Sequence, residues 1–206
     1  MNYDEWAPLY DEIIDYFAFD RDADADAATL LATLLPRDDL EPLERLIRGR
    51  DVTVCGNAPT LVREIGRVRG VVLAADGAAD VLYARGVRPG AVFTDLDGAT
   101  DAFCEMNAAG TIMVVHAHGD NSNLLRRWVP RFSGPIVGTT QGPPLPHVHN
   151  LGGFSDGDRA AFAADHLGAA TIRFAGFDLD DEAVNPMKRG KLRFARRLLR
   201  RLGHDL

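Results

Sequence analysis

The sequence predicts an α/β fold with a doubly wound, mostly parallel, Rossmann-like sheet, preceded by a small helical segment. Three observations carry this reading. From residue 51 onward, apolar runs of four to six residues alternate with amphipathic stretches of helical period. The runs are continuous and rich in β-branched residues, as in strands covered on both faces. Six of them stop, on their C-terminal side, in glycine and in carboxylate, imidazole or hydroxyl side chains. In an open parallel sheet those ends share one rim, and ligands bind there.

Residues 1–48 read as an N-terminal helical segment and residues 49–206 as the α/β domain. "YDEIIDYFAF" and "ADAATLLATLL" place apolar residues at i, i+3 and i+4, and "LEPLERLI" follows a proline break. "DRDADADA" has the acidic alternation of a calcium loop but lacks its glycine and closing glutamate, so it reads as a solvated helix start. The strands expected next are "VTVC", "VVLAA", "AVFT", "TIMVV", "PIVG", a short one near "HVHNL", and "TIRFA". Helices are expected over 60–68, 78–85, 100–108, 121–129 and 157–167. "TTQGPPLPHVHN" is a proline-rich loop, and "NPMKRGKLRFARRLLRR" closes the chain as a basic helix. There is no internal repeat and no low-complexity segment.

Composition narrows the function. A formal net charge of -7 argues against general nucleic-acid binding, which needs cations for the phosphate backbone. No apolar run approaches the ~20 residues of a membrane span. The acidic N-terminus lacks the cationic start of a signal peptide, and Cys55 and Cys104 are too few for a disulfide framework. A reducing cytoplasm is the expected setting. Asp far outnumbers Glu, and Lys188 and Lys191 are the only lysines. That balance resembles a salt-adapted, high-GC organism such as a haloarchaeon. Two lysines three positions apart then stand out against an arginine background.

The strand ends supply the chemistry. "FTDLDG" sets Asp95 and Asp97 after a buried run, where carboxylates are costly unless paired. It resembles a DxDxT phosphatase motif, but position 99 is alanine and both lysines follow the later acidic stretch. "AADGA" ends a strand on Asp76, which also suits a helix cap. "HAHGDN" approaches a zinc signature, with Asn121 in place of its last histidine. Read instead with Asp95 and Asp97, Asp120 adds a third carboxylate, and hard oxygen ligands prefer Mg²⁺ shared with phosphates. His116 and His118, with Gly119 between them and Asp120, then serve as phosphate donors. In "GNAPTL", Gly56 and Asn57 precede Thr60 at a helix start whose free N–H groups favour an anion, though a plain capped turn fits equally. "GGFSDGDRA" carries Asp156, Asp158 and Arg159 at a helix head, where capping is the ordinary role and ligand contact the functional one. Lys188 and Lys191 begin the last helix and read as phosphate-neutralising groups. Phe154 and Phe177 suit stacking on a flat ring or core packing.

In this order, "GNAPTL", "AADGA", "FTDLDG", "HAHGDN", "TTQ", "GGFSDGDRA" and "GFDL…KRGKL" resemble the archaeal 6-hydroxymethyl-7,8-dihydropterin diphosphokinases, a branch of the DUF115 family, across roughly residues 45–195. The chain is also similar to thiamine pyrophosphokinases. It departs from the family pattern at GNAPTL, where GAGPSL is expected, while Thr60 keeps the hydroxyl. The resemblance implies Mg²⁺-dependent transfer of diphosphate from ATP to a pterin hydroxymethyl group, and a homo-oligomer. It implies Asp95, Asp97 and Asp120 as metal ligands with Asp76 beside them, and Gly56, Asn57 and Thr60 at the nucleotide. Asp97 or Asp120 would be the base, and Lys188, Lys191 and Arg159 would offset phosphate charge. A nucleotide-sugar transferase and a nucleotide sensor without turnover are the rival functions.

Overall fold

The structure, a computed structural model, describes residue 1 and residues 3–206. Helices α1 (Tyr3–Phe17), α2 (Arg21–Leu34) and α3 (Leu40–Ile47) come first. Then β1 (Asp51–Cys55), α4 (Leu61–Glu64), β2 (Val71–Ala75), α5 (Ala78–Tyr83), β3 (Ala91–Thr94) and α6 (Asp101–Ala108) alternate. They are followed by β4 (Ile112–Ala117), α7 (Ser122–Trp128), β5 (Ile136–Thr140) and the two-residue β6 (Val148–His149). The chain ends with α8 (Asp156–His166), β7 (Thr171–Ala175) and α9 (Pro186–Arg201). Among the described residues the strands form one parallel sheet in the order β6-β5-β4-β3-β2-β1-β7.

Both sheet faces are covered, which is why the strands read as unbroken apolar runs. Val52, Val54, Leu73, Phe93 and Val114 face α3 and α8. Cys55, Val72, Ala74, Val92 and Val115 face the opposite core, with Leu31 of α2, Phe103 of α6 and Trp128 of α7. The period of two along each strand sends alternate side chains to the two layers. The N-terminal helices join these layers: Ala27 and Leu31 pack on one face, and Leu43 and Ile47 on the other. Trp6, Tyr10 and Ile13 of α1 build a third cluster with Phe154, Phe162 and Phe194. No helix is long and apolar enough to cross a membrane among the described residues.

Two differences from the expected elements matter for the site. The helix expected over 60–68 is the single turn α4 continued by a 3₁₀ turn, Ile65–Arg67. Strand β4 runs two residues past "TIMVV", because β5 also extends and pairs His116 with Thr139 and Ala117 with Thr140. His116 therefore lies inside the sheet.

The chain leaves β1 towards β2 through β6, then returns to place β7 on the other side of β1. This reversal opens a crevice at the C-terminal ends of β1 and β7, the position where doubly wound folds bind ligands. Gly56 and Gly176 meet there as bare backbone. A Cβ on Gly56 would lie 2.6 Å from the Gly176 oxygen, and one on Gly176 would lie 2.3 Å from the Gly56 oxygen. Gly176 also has φ +70°, which glycine adopts without penalty.

Candidate functional site

The turn after β3 explains "TDLDG". Leu96 has φ +73° and is buried in the core, so its side chain anchors the turn from below. Its neighbours Asp95 and Asp97 are left to line the cavity above. The Leu96 N–H donates to Thr94 Oγ1 at 2.8 Å, and the Asp97 N–H donates to Asp95 Oδ1 at 3.2 Å. The Thr94 hydroxyl donates in turn to Asp76 Oδ1 at 2.6 Å. A Cβ at Gly98 would sit 2.0 Å from Asp76 Oδ2, so the glycine of this motif is required by the approach of Asp76. A left-handed leucine held by the surrounding fold is the kind of backbone strain that gathers at functional sites.

One oxygen from each of Asp76, Asp95 and Asp156 lies within 4.8 Å of the others. Their electrostatics are unequal. Burial pushes the Asp156 carboxyl well above its ordinary value; Arg159 at 2.8 Å pulls it back, and the other three aspartates push it further up. Burial also raises Asp76, with Thr94 opposing and Asp97 and Asp95 adding to the rise. Asp97 is raised by burial and then by Asp95. Asp95 goes the other way. Burial acts against its charge, but His118 at 3.4 Å, Arg159 and the Asp97 N–H together hold it below the usual carboxylate range. Carboxylates forced together out of water raise one another, and Arg159 offsets only part of that charge. An all-oxygen set of this kind fits a hard divalent cation such as Mg²⁺, which binds through carboxylate oxygens and shares the rest of its shell with waters and phosphates.

The cluster opens on a cavity of about 330 Å³ that also borders Gly56, Asn57, Ala58 and Pro59. Its roof is the start of α9. Asn185 caps this helix, its side chain accepting from the Lys188 N–H at 2.8 Å, and Pro186 occupies the first turn. Lys188 and Lys191, three positions apart, share one face of the helix and line the cavity. A second cavity of about 200 Å³ adjoins it, lined by His118, Gly119, Asp120, Asp24 and Gln141. Asp95, Phe154, Arg159 and Lys191 border both.

The structure thus brings Asp76, Asp95, Asp97, Asp156, Arg159, Lys188 and Lys191 together with Gly56 and Asn57. His118, Gly119 and Asp120 lie on the second cavity, and Asp120 stands apart from the three clustered carboxylates. Three expected residues reach neither of these two cavities. Thr60 is at the start of α4 with its hydroxyl buried and unpartnered. His116 is buried between Thr139 and Gln141. Asp158 is buried, and its oxygens accept from the Phe154 and Ser155 N–H groups and the Ser155 hydroxyl in a capping box. The glycine pair before it serves packing: Gly153 has φ +86°, and a Cβ there would sit 2.5 Å from the Arg159 Cα. Asp24, Gln141, Asp178 and Asp181 line the cavities without having been singled out from the sequence.

Asn121, which breaks the zinc pattern, has a structural task. Its Nδ2 donates to the carbonyls of His116 at 2.7 Å and Asp95 at 2.9 Å, and its Oδ1 accepts from the His118 N–H at 3.1 Å. It ties the end of β4 to the turn after β3. Asn121→Ala is expected to remove about 2 kcal/mol, since it orphans buried backbone groups. Thermal unfolding should show a drop of about 4–8 °C for a chain of this size; an unchanged midpoint would refute the role.

A family model described as 6-hydroxymethylpterin diphosphokinase MptE-like matches residues 28–183. The 6-hydroxymethyl-7,8-dihydropterin pyrophosphokinase of Methanothermobacter thermautotrophicus is 38% identical, over 97% of this chain and 94% of its own. Its namesake in Pyrococcus furiosus is 38% identical over 97% of this chain and 93% of its own, and that of Methanocaldococcus jannaschii 34% identical over 86% and 80%. The MAf glycosyltransferase of Magnetospirillum magneticum AMB-1 superposes over 78% of this chain and 29% of its own, at 15% identity and a TM-score of 0.44, too distant to bear on chemistry. With its motifs meeting at one rim and relatives aligned along nearly its whole length, the chain belongs to the MptE-like 6-hydroxymethylpterin diphosphokinase family.

Proposed function

We propose that this protein transfers diphosphate from ATP to the hydroxymethyl group of 6-hydroxymethyl-7,8-dihydropterin, with Mg²⁺, releasing AMP. The observation that carries this reading is the face-to-face arrangement of three clustered carboxylates and two lysines across a cavity at the sheet reversal. The names of the relatives support the pterin acceptor. In the reaction the hydroxymethyl oxygen bonds to the β-phosphorus, the bond from that phosphorus to the α,β-bridging oxygen breaks, and AMP departs. Such transfers rest on positioning and charge neutralisation.

The residues divide the work. Asp76, Asp95 and Asp156 hold Mg²⁺, with Asp97 alongside. Bound Mg²⁺ supplies neutralising charge on the polyphosphate oxygens. Lys188 and Lys191 offset the remaining charge from the α9 side, and Arg159 keeps Asp156 oriented while facing Asp95. The turn Gly56–Pro59 borders the nucleotide. Asp97, whose carboxyl is raised by burial and by Asp95, takes the proton of the acceptor hydroxyl. Incubation with ATP, Mg²⁺ and the pterin should yield AMP and pterin diphosphate in equal amounts, with thiamine giving neither. ADP as the product, or no nucleotide consumed, would overturn the reading.

A further inference from the structure

The second cavity holds a polar device that the reaction as described does not use. Gln141 is 6% exposed, lines this cavity, and its Oε1 is buried with no hydrogen-bond partner. Its orientation follows from its neighbours. The Thr139 hydroxyl donates to the Val115 carbonyl at 3.2 Å, so Thr139 Oγ1 receives the His116 Nδ1 proton at 3.0 Å. His116 Nε2 is then a bare acceptor and takes a proton from Gln141 Nε2 at 3.3 Å. Burial holds His116 well below its ordinary value, which keeps the ring neutral as this chain of donors requires. The Gln141 amide is thereby fixed with one N–H on His116 and its oxygen unused. A buried acceptor left without a donor is costly, and a ligand N–H would relieve that cost.

A second acceptor lines the same space. Asp24 is 7% exposed; its Oδ2 accepts from the Tyr10 hydroxyl and its Oδ1 from the Gly119 N–H, each at 2.7 Å. Each oxygen keeps a lone pair. Phe19 and Phe154 give the cavity apolar walls, and Asp95, Arg159 and Lys191 join it to the carboxylate cluster.

We infer that the second cavity is the acceptor subsite, in which Gln141 and Asp24 recognise the N–H edge of a flat 2-amino-4-oxo heterocycle. The inference rests on the diphosphokinase reading above. The 2-amino and ring N–H groups of such a ring lie side by side as donors and match two fixed acceptors. The ring lies against the phenylalanines, and its hydroxymethyl arm reaches Asp95 and Lys191 at the shared wall. Thr139 and His116 are positioning residues: His116 holds the Gln141 amide, Thr139 holds His116, and neither meets the ring.

Steady-state kinetics with ATP and the pterin varied in turn test this, alongside calorimetric titration with the pterin alone. Gln141→Leu should raise the KM for the pterin about tenfold, the worth of roughly 1.4 kcal/mol, and leave the KM for ATP within about twofold. Thr139→Val, which frees the amide to turn, should move the pterin KM in the same direction by less. It carries the test if Gln141→Leu is insoluble. An unchanged pterin KM in an active variant, or an equal rise for ATP, overturns the subsite assignment alone. A wild-type chain that makes no AMP from these substrates overturns the diphosphokinase reading and the assignment with it.

Discussion

Asp95→Asn is expected to lower turnover about 10³-fold while leaving a folded protein. Asp95 is the one carboxylate of the cluster held firmly ionised, by His118, Arg159 and the Asp97 N–H acting against its burial. It also borders both cavities, so in the proposed reaction it stands where donor and acceptor would meet. Asparagine keeps the size and one acceptor oxygen but removes the charge. AMP release followed by chromatography, with circular dichroism as the folding control, decides the matter. Turnover within tenfold of wild type would remove Asp95 from the centre of the site.

Asp76→Asn should make the metal-free protein more stable and the enzyme inactive. The Asp76 carboxyl is raised by burial, despite the Thr94 hydrogen bond, and then by Asp97 and Asp95. A raised carboxylate binds its proton more tightly in the folded state than in the unfolded chain. Its contribution to stability is therefore full below the ordinary carboxylate range and is lost as pH rises through the raised value. At neutral pH without metal, the charge is a liability. Asparagine removes it, still accepts from Thr94, and tolerates the left-handed φ of +44° found at this position. A rise in melting temperature of about 2–4 °C in chelator is expected, the shift that about 1 kcal/mol produces at this chain length. Mg²⁺ should raise the midpoint of the wild type and not of the variant, because binding to the folded state alone stabilises it. A lower midpoint in chelator, or an intact response to Mg²⁺, would contradict the assigned role.

What was legible in the sequence is what local pattern controls. The apolar runs and their polar endings located the strands and one shared rim, and the "DLD" turn announced Asp95 and Asp97 before any contact was known. What escaped depends on where distant segments land. The acidic alternation around Asp24 suits a solvated helix start, yet α2 carries this residue inward to Tyr10 and Gly119. The apolar run ends before His116, but the mutual extension of β4 and β5 draws it into the sheet. Asp158 carried a readable signal: Ser155 three residues ahead of an acidic side chain at a helix start is the capping-box pattern. Gln141 stood in the quoted "TTQ", but only the Thr139–His116 arrangement shows why its amide matters.

The first helix has a bearing on how the molecule assembles. Trp6 Nε1 donates to the Gln141 carbonyl at 2.9 Å across 135 positions of sequence. Tyr10, one turn further on, braces Asp24. The same helix packs Trp6, Tyr10 and Ile13 against Phe154 and Phe194, and Phe194 belongs to the helix that carries Lys188 and Lys191. A chain with its amino-terminal helix undocked would therefore lose support on both sides of the centre at once, so the two cavities mature together.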